Sequence, residues 1–184
     1  MAGSANLIDM QPSLRTLKLE LSTALAGLNS HQTQATPTAH PEKWSVQQIV
    51  EHLTKTYAST IRVLSDRLER GSPTRRSPTL RQRITQMLVL DAGHFPRGRR
   101  SPESVAPSES PVPLSGAELA DRLGEQIAEL DALATRGEAV FGRRRCATHQ
   151  VLGPLSMRQW CIFHLLHGRH HIKQIGAIRA DRKL

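Results

Sequence analysis

The chain has 184 residues, a length that suits a single domain with a substantial hydrophobic core. Hydrophobic residues make up 38% and charged residues 22%, and no apolar run approaches the roughly 20 residues that span a bilayer. The net charge of +9 favours a nucleic-acid partner, but an aromatic content of 3% argues against binding of single strands by base stacking.

The N-terminus lacks the basic segment and the following apolar stretch of a signal peptide. Cys146 and Cys161 are the only cysteines, and two thiols cannot provide a disulfide framework. We therefore expect a cytoplasmic protein that has no membrane partner.

Three serines, Ser45, Ser115 and Ser156, stand at the head of the same pattern. Each follows an apolar residue and precedes a Gln or Glu by three positions and a second apolar residue by four. The serine hydroxyl can accept from the backbone amide of that Gln or Glu, whose side chain returns to the serine amide, while the two apolar residues pack together. The pattern predicts a helix that begins after each serine.

Apolar residues at steps of three and four predict four amphipathic helices of five to seven turns. They cover residues 12–28, 46–70, 116–135 and 157–179, and Gly71 and Gly137 are expected to end the second and the third. No segment has the alternating pattern of a convincing strand. The sequence therefore predicts an all-α fold, a four-helix bundle in one domain over residues 12–179, with a flexible N-terminus (1–11) and a C-terminal tail (180–184).

A long crossover, residues 71–113, joins the second and third long helices. Residues 80–90 are a candidate short helix, and residues 93–113 are rich in Pro, Gly and Ser and predict an irregular connection. Between Arg75 and Arg100 there are seven Arg and one Asp, so this segment carries +6 of the net charge of +9. It can bind phosphate, but we prefer the interpretation of a solvated basic loop.

Two histidines of the last helix are spaced to share a metal ion. His167 and His171 are four residues apart, which places them about 40° from each other on a helical wheel. They share a sector with Trp160 and Ile175, so the pair points into the apolar seam of the bundle. Metalloprotease helices use the same spacing to hold zinc.

His52 is the only histidine within any of the other long helices, and it lies at the edge of an apolar stripe, about 60° beyond Ile49. Together with His167 and His171 it predicts a site with three histidine ligands and open positions, which is typical of a catalytic metal. Such an ion lowers the pKa of a bound water or thiol, or polarises a substrate oxygen. Three neutral imidazoles suit Zn, Ni, Fe or Mn.

Other residues are weaker candidates. His164 lies on the same broad helix face and can support the ligands or replace one of them, and His149 can line the site from the loop before the last helix. Glu51 and Glu20 are candidate bases, although glutamates on helices are usually solvated. Cys161 is expected to be a packing residue. Because paired histidines are often only core residues, a bundle without metal chemistry stays an alternative, as does a basic helical module that binds nucleic acid.

Four motifs occur in order along the chain. The first two are Trp44-Ser45 at a helix start and Glu51-His52-Leu53 one to two turns later. The others are His149-x-x-x-Gly153-Pro154-Leu155-Ser156-x-x-x-Trp160, and His167-Gly168-Arg169-His170-His171 followed by Gln174-Ile175. This order resembles the DinB/YfiT-like superfamily of proposed metalloenzymes, and in particular a DinB-like subgroup of unknown function, from about Leu14 to Ile178.

The resemblance implies a four-helix bundle, often dimeric, in which three histidines hold a divalent ion. By position these are His52, His167 and His171. Characterised relatives include transferases that use low-molecular-weight thiols such as bacillithiol or mycothiol, while many relatives have no known reaction. The resemblance thus implies a metal-dependent thiol S-transferase or hydrolase with a small-molecule substrate. It gives no reason to expect nucleic acid as a partner.

Overall fold

The computed structural model describes residues 11–95, 101–108 and 112–184. Its helices are α1 (Gln11–Leu25), α2 (Val46–Glu69), α3 (Leu80–Gln86), α4 (Gly116–Phe141) and α5 (Met157–Arg182). The strands are β1 (Arg145–His149) and β2 (Gly153–Ser156), and short turns of 3-10 helix cover Gln32–Gln34 and Glu103–Val105. The predicted flexible segment 1–11 lies almost entirely outside the described residues.

The predicted capped helix starts are confirmed. Ser45, Ser115 and Ser156 each accept from the third residue of the following helix, and the side chain of that residue bonds to the serine amide. A fourth box of the same kind, Thr79 with Gln82, opens α3 within the crossover. The serine caps fix where α2, α4 and α5 begin, and therefore the register of the histidines that α2 and α5 carry.

The four long helices surround one apolar core, so the prediction of a mainly helical fold is confirmed. Helix α4 packs against α1 and α2, and α5 contacts α1, α2 and α4. The buried stripe of α1, for example, consists of Leu14, Leu17, Leu21 and Leu25. No helix in the described part of the chain is long and apolar enough to cross a bilayer.

A two-stranded antiparallel hairpin between α4 and α5 is absent from the sequence prediction. Strands β1 and β2 pair Thr148 with Pro154 and His149 with Gly153, and Gly153 adopts a φ of +75° that favours glycine. The strands have five and four residues and no alternation of burial, and β2 contains a proline, so the usual strand signals are missing. The hairpin matters because it carries His149 to the side of α5.

Gly137 does not end its helix, contrary to the prediction. Helix α4 continues to Phe141, and Gly142, with a φ of +56°, follows it as the C-cap. A side chain on Gly137 would collide with Met157, so its small size permits close packing of α4 against the start of α5. Helix α5 likewise ends at Arg182, three residues beyond its predicted end.

The crossover contains more regular structure than its composition indicates. The predicted short helix is present as α3, which continues into a π-helical turn over Met87–Asp91. The side chains of Arg75, Arg76, Arg81 and Arg83 are exposed. The other three arginines of the basic segment fall in residues 96–100, which together with residues 109–111 lie outside the described part of the chain.

Candidate metal centre

Helices α2 and α5 bring three imidazoles to one point. His52 Nε2 lies 3.4 Å from His167 Nε2, and His171 Nε2 lies 3.1 Å from the same atom. One ligand nitrogen from each residue falls within 4.8 Å of those of the other two. The three histidines that helical spacing selected therefore form a group that can hold a metal ion.

Hydrogen bonds on the far side of two rings fix their tautomers. His52 Nδ1 lies 2.9 Å from the carbonyl oxygen of Val105, and His171 Nδ1 lies 2.8 Å from the amide oxygen of Gln174. Because both partners are acceptors, each Nδ1 must carry the proton and donate it. Each Nε2 is then left with a lone pair that points toward His167, and ligands of metals are usually oriented by such contacts.

A single proton on His167 Nε2 cannot form hydrogen bonds with the Nε2 atoms of both His52 and His171. If its Nε2 carries the hydrogen, it can donate to only one of the two facing lone pairs, and its buried Nδ1 has no hydrogen-bond partner among the described residues. A cation between the rings would satisfy all three nitrogens at once. The nitrogen separations of 3.4 Å and 3.1 Å are close to the ~3.3 Å that follows from Zn–N bonds of about 2.0–2.1 Å in a tetrahedral site, so the residues fit a metal.

The electrostatics of the cluster keep the rings neutral, which is the form that binds metals. Burial, with the adjacent imidazole of His171 next in importance, holds the pKa of His167 well below its usual range. Burial and the neighbouring His52 lower the pKa of His171 to about 3. Burial also lowers the pKa of His52.

A cavity of about 270 Å³ adjoins the cluster. All three histidines line it, with apolar side chains that include Trp44, Val89, Phe95 and Phe163. A second cavity of about 210 Å³ shares His52, His149 and His167 with the first. No carboxylate is among the described residues that line either cavity.

Neither predicted base lies in these walls. The carboxylate of Glu51 accepts from the backbone amide of Ser108 and from the side chain of Gln47. Glu20 pairs with the guanidinium of Arg169 at 2.7 Å on the surface of α1 and α5. Both glutamates therefore have partners elsewhere.

His164 and His149 differ in their relation to the cluster. His164 is fully buried, its Nε2 lies 3.0 Å from Thr60 Oγ1, and its ring stacks on Tyr57, so it belongs to the core between α2 and α5. His149 lines both cavities, and its ring lies 4.7 Å from that of Phe163. It reaches the site from strand β1.

The supporting contacts of the cluster are the part that sequence reasoning missed. Gln174 follows His171 by three residues, a helical spacing that could have indicated the hydrogen bond between their side chains. Val105 offers its backbone carbonyl to His52 from the 3-10 turn in the crossover. A backbone contact across more than fifty residues leaves no signal in the side-chain pattern.

We expect the metal-free protein to lose stability as the pH falls below about 6.5. Burial lowers the pKa of His164 to about 3 in the folded state, whereas histidine in an unfolded chain titrates near 6.5. Between these values the unfolded chain binds a proton that the folded chain excludes. Within this pH range, His164 should therefore lower the free energy of unfolding by about 1.4 kcal/mol for each unit by which the pH falls.

Urea denaturation of the metal-free protein at a series of pH values measures this slope. His164→Gln removes the titrating ring but keeps an amide that can reach Thr60, so it should show a shallower loss of stability in acid than the parent chain. Identical slopes for the two proteins would show that His164 takes up its proton equally well in the folded state.

A protein family and one curated protein match this chain over most of its length. A model of the DinB superfamily matches residues 14–175, a range that includes all three histidines of the cluster. The uncharacterized protein YuaE of Bacillus subtilis (strain 168) is 25% identical over 163 residues, which cover 88% of this chain and 92% of YuaE. No solved structure matches the chain significantly.

Proposed function

The chain belongs to the DinB superfamily, and we propose that it is a metal-dependent enzyme in which His52, His167 and His171 hold a divalent ion. We propose further that it is a thiol S-transferase, whose substrate is a small molecule with a thiol group. The observation that carries the first step is the convergence of three Nε2 atoms of which two are fixed as lone-pair donors.

Three histidine ligands support a catalytic ion, because they leave coordination positions for a substrate. An ion of the Zn, Ni, Fe or Mn class lowers the pKa of a water or thiol that it binds. The contribution of the chain is to hold the three rings neutral, to orient two of them through Val105 and Gln174, and to place a mostly apolar cavity beside them.

The composition of the cavity wall favours a thiol over water as the nucleophile. Metal-dependent hydrolases often add a glutamate as general base, and no carboxylate is present among the described residues of the wall. A thiol ionises near pH 8.5 and needs much less help than water to become a nucleophile.

The thiol would come from the substrate and not from the protein. Burial raises the pKa of Cys146 to about 11 and that of Cys161 to about 12, so both stay protonated. Both side chains are also buried in the core. The expectation that Cys161 is a packing residue agrees with this environment.

Cobalt substitution tests the proposal. Protein purified without a histidine tag and loaded with Co²⁺ is expected to give a sulfur-to-cobalt charge-transfer band when N-acetylcysteine is added. N-acetylserine, which has a hydroxyl in place of the thiol, should give no such band. Failure of Co²⁺ to bind would refute the proposed metal site. Binding of Co²⁺ without a thiol-dependent band would refute the proposal that the substrate has a thiol group.

A further inference from the structure

His149 is held in one orientation by its own loop. Its Nδ1 accepts hydrogen bonds from the backbone amides of Val151 and Leu152, each at 3.1 Å. The loop is fixed in turn by Gln86 of α3, whose side-chain amide donates to the carbonyl oxygen of Leu152 at 2.7 Å. The imidazole ring therefore has a rigid support that does not involve the metal ligands.

This support determines the tautomer of His149. A backbone amide can only donate, so Nδ1 must be unprotonated, and in the neutral ring the proton then resides on Nε2. Burial lowers the pKa of His149 to about 4, so the ring stays neutral at physiological pH. Neutral imidazoles of this kind serve enzymes as hydrogen-bond donors to substrate oxygens.

The Nε2–H group has no protein partner among the described residues. The ring lines both cavities beside the histidine cluster and packs against Trp160 and Phe163, at centroid distances of 5.3 Å and 4.7 Å. Since Nδ1 is occupied by the loop, Nε2–H is the polar group that this ring can offer to a ligand. A donor held in a fixed orientation in a cavity wall that is mostly apolar is a usual device for orienting a bound molecule.

We propose that His149 donates a hydrogen bond from Nε2 to a carbonyl-type oxygen of a substrate bound in these cavities. This assignment rests on the proposed function, which it deepens by naming the chemical class of the second substrate. That substrate is a small compound with an apolar group and a carbonyl oxygen, lying beside the position of the thiol. His149 binds and orients this oxygen, and the histidine cluster holds the ion.

Two substitutions separate the donor from the structural role of the ring. In His149→Asn the amide oxygen occupies the place of Nδ1 and can accept from Val151 and Leu152, but no donor remains at the place of Nε2. In His149→Gln an amide donor can occupy the place of Nε2. We therefore expect His149→Asn to keep the parent melting temperature and to lose the ligand contact.

Binding of benzamide to the full chain tests the proposal, with toluene as the ligand that lacks an acceptor oxygen. Both forms of the protein are used, loaded with Zn²⁺ and treated with a chelator, so that the result does not depend on the metal. His149→Asn should weaken benzamide binding by about fivefold or more, whereas His149→Gln should retain it and toluene affinity should not change. Nitrogen NMR of the labelled parent protein should show protonated Nε2 and unprotonated Nδ1 for His149.

Each alternative result overturns the assignment. The first is an equal benzamide affinity of the parent and His149→Asn, and the second is an equal loss of benzamide affinity in both variants. The others are the absence of benzamide binding by the parent and a protonated Nδ1 in the NMR spectrum. Failure of the parent chain to bind Zn²⁺ would instead contradict the proposed function. A lower benzamide affinity of His149→Asn than of the parent in the chelator-treated form would still support the donor role.

Discussion

His167→Ala is expected to lower the affinity of the protein for a divalent ion by a factor of about 100 or more. His167 is the central residue of the cluster, since its Nε2 lies 3.4 Å and 3.1 Å from those of the other two histidines. Loss of a residue that only supports a ligand typically costs 10- to 100-fold in affinity, so loss of a ligand itself should cost at least as much. Competition with a chromophoric chelator, on protein purified without a histidine tag, measures the change.

His31→Ala is the matched control for this experiment. His31 is exposed in the segment between α1 and α2 and is not part of the histidine group, so its loss should leave metal affinity unchanged. Metal analysis of both variants after dialysis gives the stoichiometry. Retention of one tightly bound ion per chain by His167→Ala would show that the ion is held elsewhere and would refute the proposed site.

The histidine cluster could be predicted because its information is local. His167 and His171 are one helical turn apart, and the capped start at Ser156 fixes the helix that presents them. His52 is placed by the corresponding cap at Ser45. Two helices with fixed starts and buried stripes have few ways to pack, and this is why the three residues could be selected before their distances were known.

The contacts around the cluster that join distant segments could not be predicted, as with His52 and the carbonyl of Val105. His149 was a predicted candidate for lining the site, but the strands of its hairpin are too short for a periodic signal. The turn at Val151 and Leu152 that fixes its tautomer was therefore not predicted. Gly137 is a residue type that often ends a helix, but here it lies within α4 and allows close packing against Met157. The sequence alone does not tell whether a glycine is needed for a turn of the backbone or for the space that a side chain would fill.

The chemistry proposed for the site depends on these supporting contacts. Three histidines alone can hold an ion for structural or catalytic purposes. The carbonyl of Val105 and the amide of Gln174 orient two of the rings, and the apolar cavity with His149 in its wall provides a place for a substrate. The features that support the proposal of an enzyme therefore lie mainly in the crossover and the hairpin, which connect the bundle helices, with Gln174 of α5 as the exception.

Gly116→Ala is expected to destabilise the protein by about 3 kcal/mol, at the upper end of the usual cost of an added group in a packed interior. Gly116 is the first residue of α4, and its amide donates to the carbonyl oxygen of Leu28 at 2.8 Å. A Cβ at this position would collide with the carbonyl oxygen of Leu25 and lie 3.2 Å from Leu28 Cβ. Because the obstacle is backbone, the clash can be relieved only by moving the start of α4 away from the end of α1.

Gly176→Ala provides the opposite expectation within the same fold. Gly176 lies in α5 and is exposed, and a Cβ there would have no atom within 4 Å apart from the adjacent backbone of its own helix. Alanine there should stabilise the helix by about 0.5–1 kcal/mol, because glycine loses more backbone entropy on folding. Urea denaturation followed by circular dichroism measures both variants, and the thermal midpoint of Gly116→Ala should fall by roughly 6–12 °C. An unchanged stability of Gly116→Ala would mean that α1 and α4 do not approach as closely as the structure places them, since only a close backbone contact makes alanine costly at this position.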